Sequence, residues 1–304
     1  MNKSHQGSMK YFITSFLLLV SIGLSAQQDP LYSQYFNNPM LINPAFAGST
    51  ERLYAGVAYR TQWAGVEGAP KTFNLNSHIA LMDNKVGLGV IAVQDQIGDI
   101  KNTQYDAAGS YRIKLAQSTF SFGMQMGATR YATDPNAVHV QNPDPLFAQF
   151  NETKFNVGAG ALLQGDRYTL SLSVPRFLPG NVSQGGQSIQ VYSQNLYFYG
   201  SYLFYVSEKI QLKPSTLLRL TKGSAASADI NCNFVLNQMY TAGIFSRNLN
   251  SYGVLLQMVM SNYRFGYVFE MPGKNSALNF TSHEISLSLS LDVLNSHNHS
   301  RTGF

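Results

Sequence analysis

The run Glu284-Ile285-Ser286-Leu287-Ser288-Leu289-Ser290-Leu291-Asp292-Val293 decides the fold. Successive side chains of a strand point to opposite faces. Ile285, Leu287, Leu289, Leu291 and Val293 therefore share one face, and Glu284, Ser286, Ser288, Ser290 and Asp292 the other. A 3.6-residue helical period would mix the two sets around the cylinder. The same period of two recurs upstream. Tyr263, Phe265, Tyr267 and Phe269 alternate with Arg264, Gly266, Val268 and Glu270, and Phe120, Phe122, Met124 and Met126 alternate with Ser121, Gly123, Gln125 and Gly127.

Composition says which kind of strand protein this is. Of 304 residues 12% are charged, about half the usual share of a soluble domain, yet the mean hydropathy of -0.11 is far from that of a membrane helix bundle. Strands with one apolar face for lipid and one small polar face for a lumen reconcile the two values. The 25 Gly, 18 Tyr and 19 Phe fit the same arrangement. No blade-length repeat points to a propeller.

Alternating runs lie near 52–61, 71–82, 86–94, 103–114, 119–130, 154–163, 167–175, 194–205, 209–221, 228–236, 239–247, 251–260, 263–271 and 283–293. They predict an all-β transmembrane antiparallel β-barrel of about 14 strands. Tight connections such as Asp83-Asn84-Lys85 and Asn237-Gln238 alternate with mostly longer ones, notably 131–153, 176–193 and 272–282. Short periplasmic turns and longer outer loops are the expected asymmetry.

The N-terminus reads as an export signal. Lys3 and Lys10 precede the apolar run from Tyr11 to Val20, and Ser21-Ile22-Gly23-Leu24-Ser25-Ala26 supplies a small-residue cleavage region. The reading divides the chain into a signal peptide (1–26), an N-terminal periplasmic or lumenal segment (27–50), the outer-membrane barrel (51–294) and a tail (295–304). In the second of these, Asn38-Pro39 and Asn43-Pro44 each force a turn, because proline fixes φ and lacks an amide donor. Apolar Tyr35, Phe36, Met40, Leu41, Ile42 and Phe46 cluster around them. The segment is a strap packed against the periplasmic mouth or into the lumen, or alternatively a docking surface for a periplasmic partner. Tyr32, Gln34, Tyr35, Asn38, Pro39, Asn43, Pro44 and Phe46 are the docking candidates.

Several function classes find little support. The 21 Lys and Arg are scattered singly, whereas nucleic-acid binding needs clustered charge. Cys232 is the single cysteine, with no second cysteine or histidine beside it for a metal site. His78, His139 and His283 fall on separate runs or loops, and no serine, histidine and acid share a motif. No catalytic residue, cofactor or metal ligand is assigned. Arg60, Gln62 and Trp63 are candidate lumen or interface residues: Arg60 and Gln62 share a face that points inward, Glu67 is a nearby partner for Arg60, and Trp63 suits a membrane-interface anchor.

The strap resembles the N-terminal signature of the PorP/SprF family of type IX secretion system membrane proteins, on Asp29-Pro30, Ser33-Gln34-Tyr35, Asn38-Pro39 and Asn43-Pro44-Ala45-Phe46-Ala47-Gly48. Tyr59-Arg60-Thr61-Gln62-Trp63 with Gly68-Ala69-Pro70 and Thr72 is similar to the family's first-strand block. Gly87-Leu88-Gly89 with Asp95 and Gly98 resembles its next hairpin, and Tyr263-Arg264-Phe265 and Ser282-His283-Glu284-Ile285 its C-terminal pattern. The resemblance implies a Bacteroidota protein of the cell outer membrane that serves secretion or surface attachment of specific cargo, such as a gliding adhesin. It also implies partners: a cargo protein with a C-terminal sorting domain, periplasmic type IX components and outer-membrane lipid. The alternative is a passive porin or small-solute channel, for which a barrel with a polar inner face suffices.

Overall fold

The computed structural model describes Tyr35 and residues 38–133, 150–184, 187–274 and 279–293. The export signal and the tail beyond 293 lie outside the described residues, as do Tyr32 and Gln34. The strands are β1 (Leu53–Thr61), β2 (Lys71–Leu81), β3 (Val86–Ile97), β4 (Ile100–Lys114), β5 (Ser118–Thr133), β6 (Asn151–Gly165), β7 (Tyr168–Val174), β8 (Gly180–Gln184), β9 (Gln187–Tyr192), β10 (Asn195–Tyr202), β11 (Phe204–Tyr205), β12 (Ile210–Thr221), β13 (Ser227–Leu236), β14 (Tyr240–Arg247), β15 (Ser251–Met260), β16 (Tyr263–Pro272) and β17 (Ser282–Leu291). β11 continues β10 past Leu203, and β8 pairs only with β9, so the wall is a 14-strand antiparallel barrel. It closes where β1 pairs with β17, from Leu53 opposite Leu291 to Thr61 opposite His283. No helix among the described residues is long and apolar enough to cross a membrane; the chain crosses with strands.

Each alternating run of the sequence is a wall strand, and the two faces sort as the period of two requires. On β5, Phe122, Met124 and Met126 are exposed to the outside, whereas Ser121 and Gln125 are buried within. On β17, Ile285 is 61% exposed and its neighbour Glu284 2%. Lipid takes the place of solvent on the outer face.

β1 begins and β17 ends at the rim that carries the tight turns, which the short-turn rule makes periplasmic. There the Asn237-Gln238 turn has both residues at positive φ, +52° and +56°, the primed geometry whose twist matches a hairpin. Two features depart from the sequence reading. β3 and β4 run on to meet at Gly98-Asp99, pairing Ile97 with Ile100, where a longer loop was expected. The 176–193 loop contains the β8–β9 hairpin, whose Val182 packs with Tyr131 and Phe150 at the outer end of β5.

Candidate functional site: a filled lumen

The described part of the strap, Tyr35 and residues 38–50, lies inside the barrel, the lumenal of the two placements. Two single-turn 3-10 helices, Pro39–Leu41 and Pro44–Phe46, form where the Asn-Pro pairs predict turns. Asn43 caps the second: its Oδ1 accepts from the Ala45 amide at 2.8 Å. Its Nδ2 donates to Ser171 Oγ at 2.8 Å and to the Ala161 carbonyl at 3.0 Å. One buried amide thus holds the strap's bend and ties it to β6 and β7.

The wall is shaped to receive it. Side chains at Gly87, Gly123 and Gly160 would run into the Ala47 carbonyl, the Pro44–Ala45 backbone and Asn43 Oδ1 respectively. Glycine at these inward positions lets backbone approach backbone. Hydroxyls complete the seat: Ser173 Oγ donates to the Ile42 carbonyl at 2.6 Å and Ser110 Oγ to the Ala47 carbonyl at 2.7 Å. Arg112 Nη1 donates to the Gly48 carbonyl at 3.0 Å, and the Gly48 amide donates to His78 Nδ1 at 3.2 Å. The carbonyls of Ile42, Ala47 and Gly48 and the amide of Gly48 are thus matched by the wall.

Between these polar anchors runs an apolar core. Tyr35, Met40, Ile42, Ala45, Phe46 and Ala47 of the strap pack with Ile91, Val93, Ala108, Leu162, Tyr199 and Leu217 of the wall. Two cavities beside the strap measure about 20 and 40 Å³, space for a water or two. A larger cavity of about 930 Å³ opens at the short-turn mouth, lined by Ser49, Glu51, Arg112, Lys114, Arg167 and Lys213 among others.

Above the strap the inner wall carries an ionic network. Arg60 Nη2 meets Glu270 Oε2 at 2.8 Å and its Nη1 meets Glu284 Oε2 at 3.4 Å. Arg247 pairs with Asp229 and Glu270, each at 3.2 Å, and Ser251 Oγ donates to Glu270 Oε1 at 2.7 Å. The three carboxylates Asp229, Glu270 and Glu284 are buried together with the two arginines, so the geometry must offset a large desolvation cost. The network spans β1, β13, β14, β16 and β17, across the closing seam.

The family model described as "Type IX secretion system membrane protein PorP/SprF" matches residues 24–289. The chain belongs to the PorP/SprF family. It is a membrane component of type IX secretion, located in the outer membrane. No curated protein sequence matches it. Among solved structures it is similar to the CymD monoaromatic hydrocarbon channel, at TM-score 0.50 and 10% identity over 90% of this chain and 96% of that one. A TodX monoaromatic hydrocarbon channel deletion mutant scores 0.50 at 9% identity over 85% and 94%. Omp33 of Acinetobacter baumannii scores 0.47 at 8% identity over 79% and 98%. At such identities the likeness is one of fold.

In this PorP/SprF barrel the strap residues singled out from sequence that fall among the described ones face the wall. Tyr35, Asn38, Asn43, Pro44 and Phe46 are buried and Pro39 is partly so. In this arrangement they form an internal seat and present no outer surface. Arg60 does point inward, but Glu67 is exposed in the loop and is not its partner; Glu270 and Glu284 are. Glu284 stands directly opposite Arg60 because β17 pairs with β1, and Glu270 lies on β16, the strand beyond. Gln62 and Trp63 begin the 62–70 loop and line a cavity of about 260 Å³ at the outer mouth.

Proposed function

We propose that this chain is a cargo-specific accessory of type IX secretion, needed for secretion or surface attachment of particular proteins such as an adhesin. The filled lumen carries this reading. A passive porin needs a continuous water path, whereas here two single-turn helices, the hydrogen bonds that seat them and an apolar core occupy the midsection. A barrel built this way holds or hands over a partner rather than letting solutes through. The cargo, a protein with a C-terminal sorting domain, meets the long outer connections 131–153 and 176–193. A periplasmic type IX component meets the opposite mouth, where Ser49 and Glu51 of the strap border the 930 Å³ cavity.

The test is deletion of the gene, with complementation, and mass spectrometry of surface proteins. Loss of one or two large surface proteins with other secretion intact supports the accessory. An unchanged surface with altered uptake of small solutes overturns it in favour of the porin.

A further inference from the structure

The cavity at the outer mouth has the build of a binding site in its own right. Trp63 is the only tryptophan of the chain, and its backbone sits at φ +52°. A bulky residue avoids that left-handed region, and such outliers concentrate where function requires a side chain to be aimed. Three cross-loop hydrogen bonds hold it there: the Trp63 amide donates to Ser282 Oγ at 3.2 Å, the Ala64 amide to the Thr281 carbonyl at 2.8 Å, and the Gln62 amide to the Pro70 carbonyl at 2.9 Å. The facing turn is the β14–β15 hairpin, in the same primed geometry, with Asn248 at +52° and Leu249 at +53°. It too is pinned, by the Ala228 amide donating to Asn248 Oδ1 at 2.6 Å and the Asn250 amide donating to the Arg247 carbonyl at 2.9 Å.

Between these two turns lie about 260 Å³ lined by Trp63, Gln62, Asn248, Asn250 and Phe280, with Met271 and Pro272 at the side and Arg247 and Glu270 as floor. The floor charges are committed to each other and to Asp229, so the cavity is not built around an ionic ligand. What it offers is neutral: an indole, a phenyl ring, and side-chain amides able to donate and accept. The volume equals roughly nine waters at about 30 Å³ each, which is room for one sugar ring. Sugars present an apolar C–H face to an aromatic ring and hydroxyls of both hydrogen-bonding senses at the edge. A peptide docking through a charge would need an unpaired one, which the described lining does not supply; a peptide docking through an apolar side chain is the alternative that the trialanine control reads.

We propose that this cavity binds a neutral sugar ring of a glycan at the cell surface. The single tryptophan makes the test direct. The full chain, purified in detergent and checked as folded by its heat-modifiable gel mobility, is titrated separately with D-mannose, D-galactose, N-acetylglucosamine and L-rhamnose while Trp63 emission is followed. Glycerol at matched osmolarity and trialanine serve as controls. The expected result is a saturable emission change with at least one sugar and with neither control, weakened at least tenfold in Asn250→Ala and in Gln62→Ala. The proposal is overturned if none of the four sugars acts, if trialanine produces the saturable change instead, or if a sugar response survives unaltered in both folded variants.

Discussion

Replacing Gly123 by alanine should unseat the strap while leaving the wall strands paired. A methyl group built on Gly123 would lie 2.6 Å from the Ala45 Cα, about 1 Å inside carbon–carbon contact. The clash is with backbone, which no rotamer change relieves. The strap must therefore move by about 1 Å at Ala45, two residues from an Asn43 amide whose bonds to Ser171 and Ala45 measure 2.8 Å. Each such bond contributes about 0.5 to 1.5 kcal/mol net, and a buried partner left unmatched costs about 1 to 3 kcal/mol. With the overpacking itself at about 1 to 3 kcal/mol, Gly123→Ala should lose about 3 kcal/mol or more. Gly109→Ala is the control, because a methyl there meets nothing within 4 Å. Two assays read the outcome: urea unfolding in detergent followed by far-UV circular dichroism, and single-protein conductance in planar bilayers. Gly123→Ala should unfold at lower urea and conduct more than the parent, and Gly109→Ala should do neither. Deleting residues 28–48 should abolish the difference between glycine and alanine at 123, since the partner is gone. If Gly123→Ala matches the parent in both assays, the strap does not press on that wall and the account of the lumen is wrong.

Three further outcomes follow from the same geometry. Asn43→Ala removes the cap and the β6–β7 tie at once, so urea unfolding should show a loss of about 2 to 4 kcal/mol. Arg60→Ala leaves Glu270 and Glu284 short of a partner and should cost about 3 to 5 kcal/mol, seen as faster proteolysis within 62–70; adding Glu284→Gln should restore part of the loss, and no recovery would count against the pairing. Asp292→Ala breaks an ion pair with Arg52 whose side chains are 38% and 58% exposed; at such exposure the change in unfolding free energy should stay below about 1 kcal/mol, and a larger one would mean the seam depends on it.

The wall was legible in the sequence because lipid on one side and interior on the other impose a period of two, and Ile285 to Val293 or Phe120 to Gly127 obey it without exception. What lay inside was less so. Gly123 reads as part of a small polar lining, yet glycine at inward positions, as at 87 and 160 too, is also a mark of close backbone approach. The run Leu88-Gly89-Val90-Ile91-Ala92-Val93 is apolar on both faces, a sign that β3 meets something apolar within. Arg60 invited a partner close in sequence, whereas its carboxylates are 210 and 224 residues away and become neighbours only when β17 closes on β1. The β8–β9 hairpin was hidden by polar composition, although Gly185-Gly186 between Val182 and Ile189 is itself a hairpin-turn sequence.

The apolar core shared by strap and wall also sets how the protein should respond to heat. A water-filled barrel keeps its inner face hydrated whether folded or not, so melting exposes little new apolar surface there. Here Met40, Ile42, Phe46, Ile91, Val93, Leu162 and Leu217 are withheld from water in the interior, and unfolding delivers them to it. Such exposure raises the heat capacity. Calorimetry should therefore give this barrel an unfolding heat-capacity increment resembling that of a soluble domain, superimposed on the contribution of a lipid-facing wall.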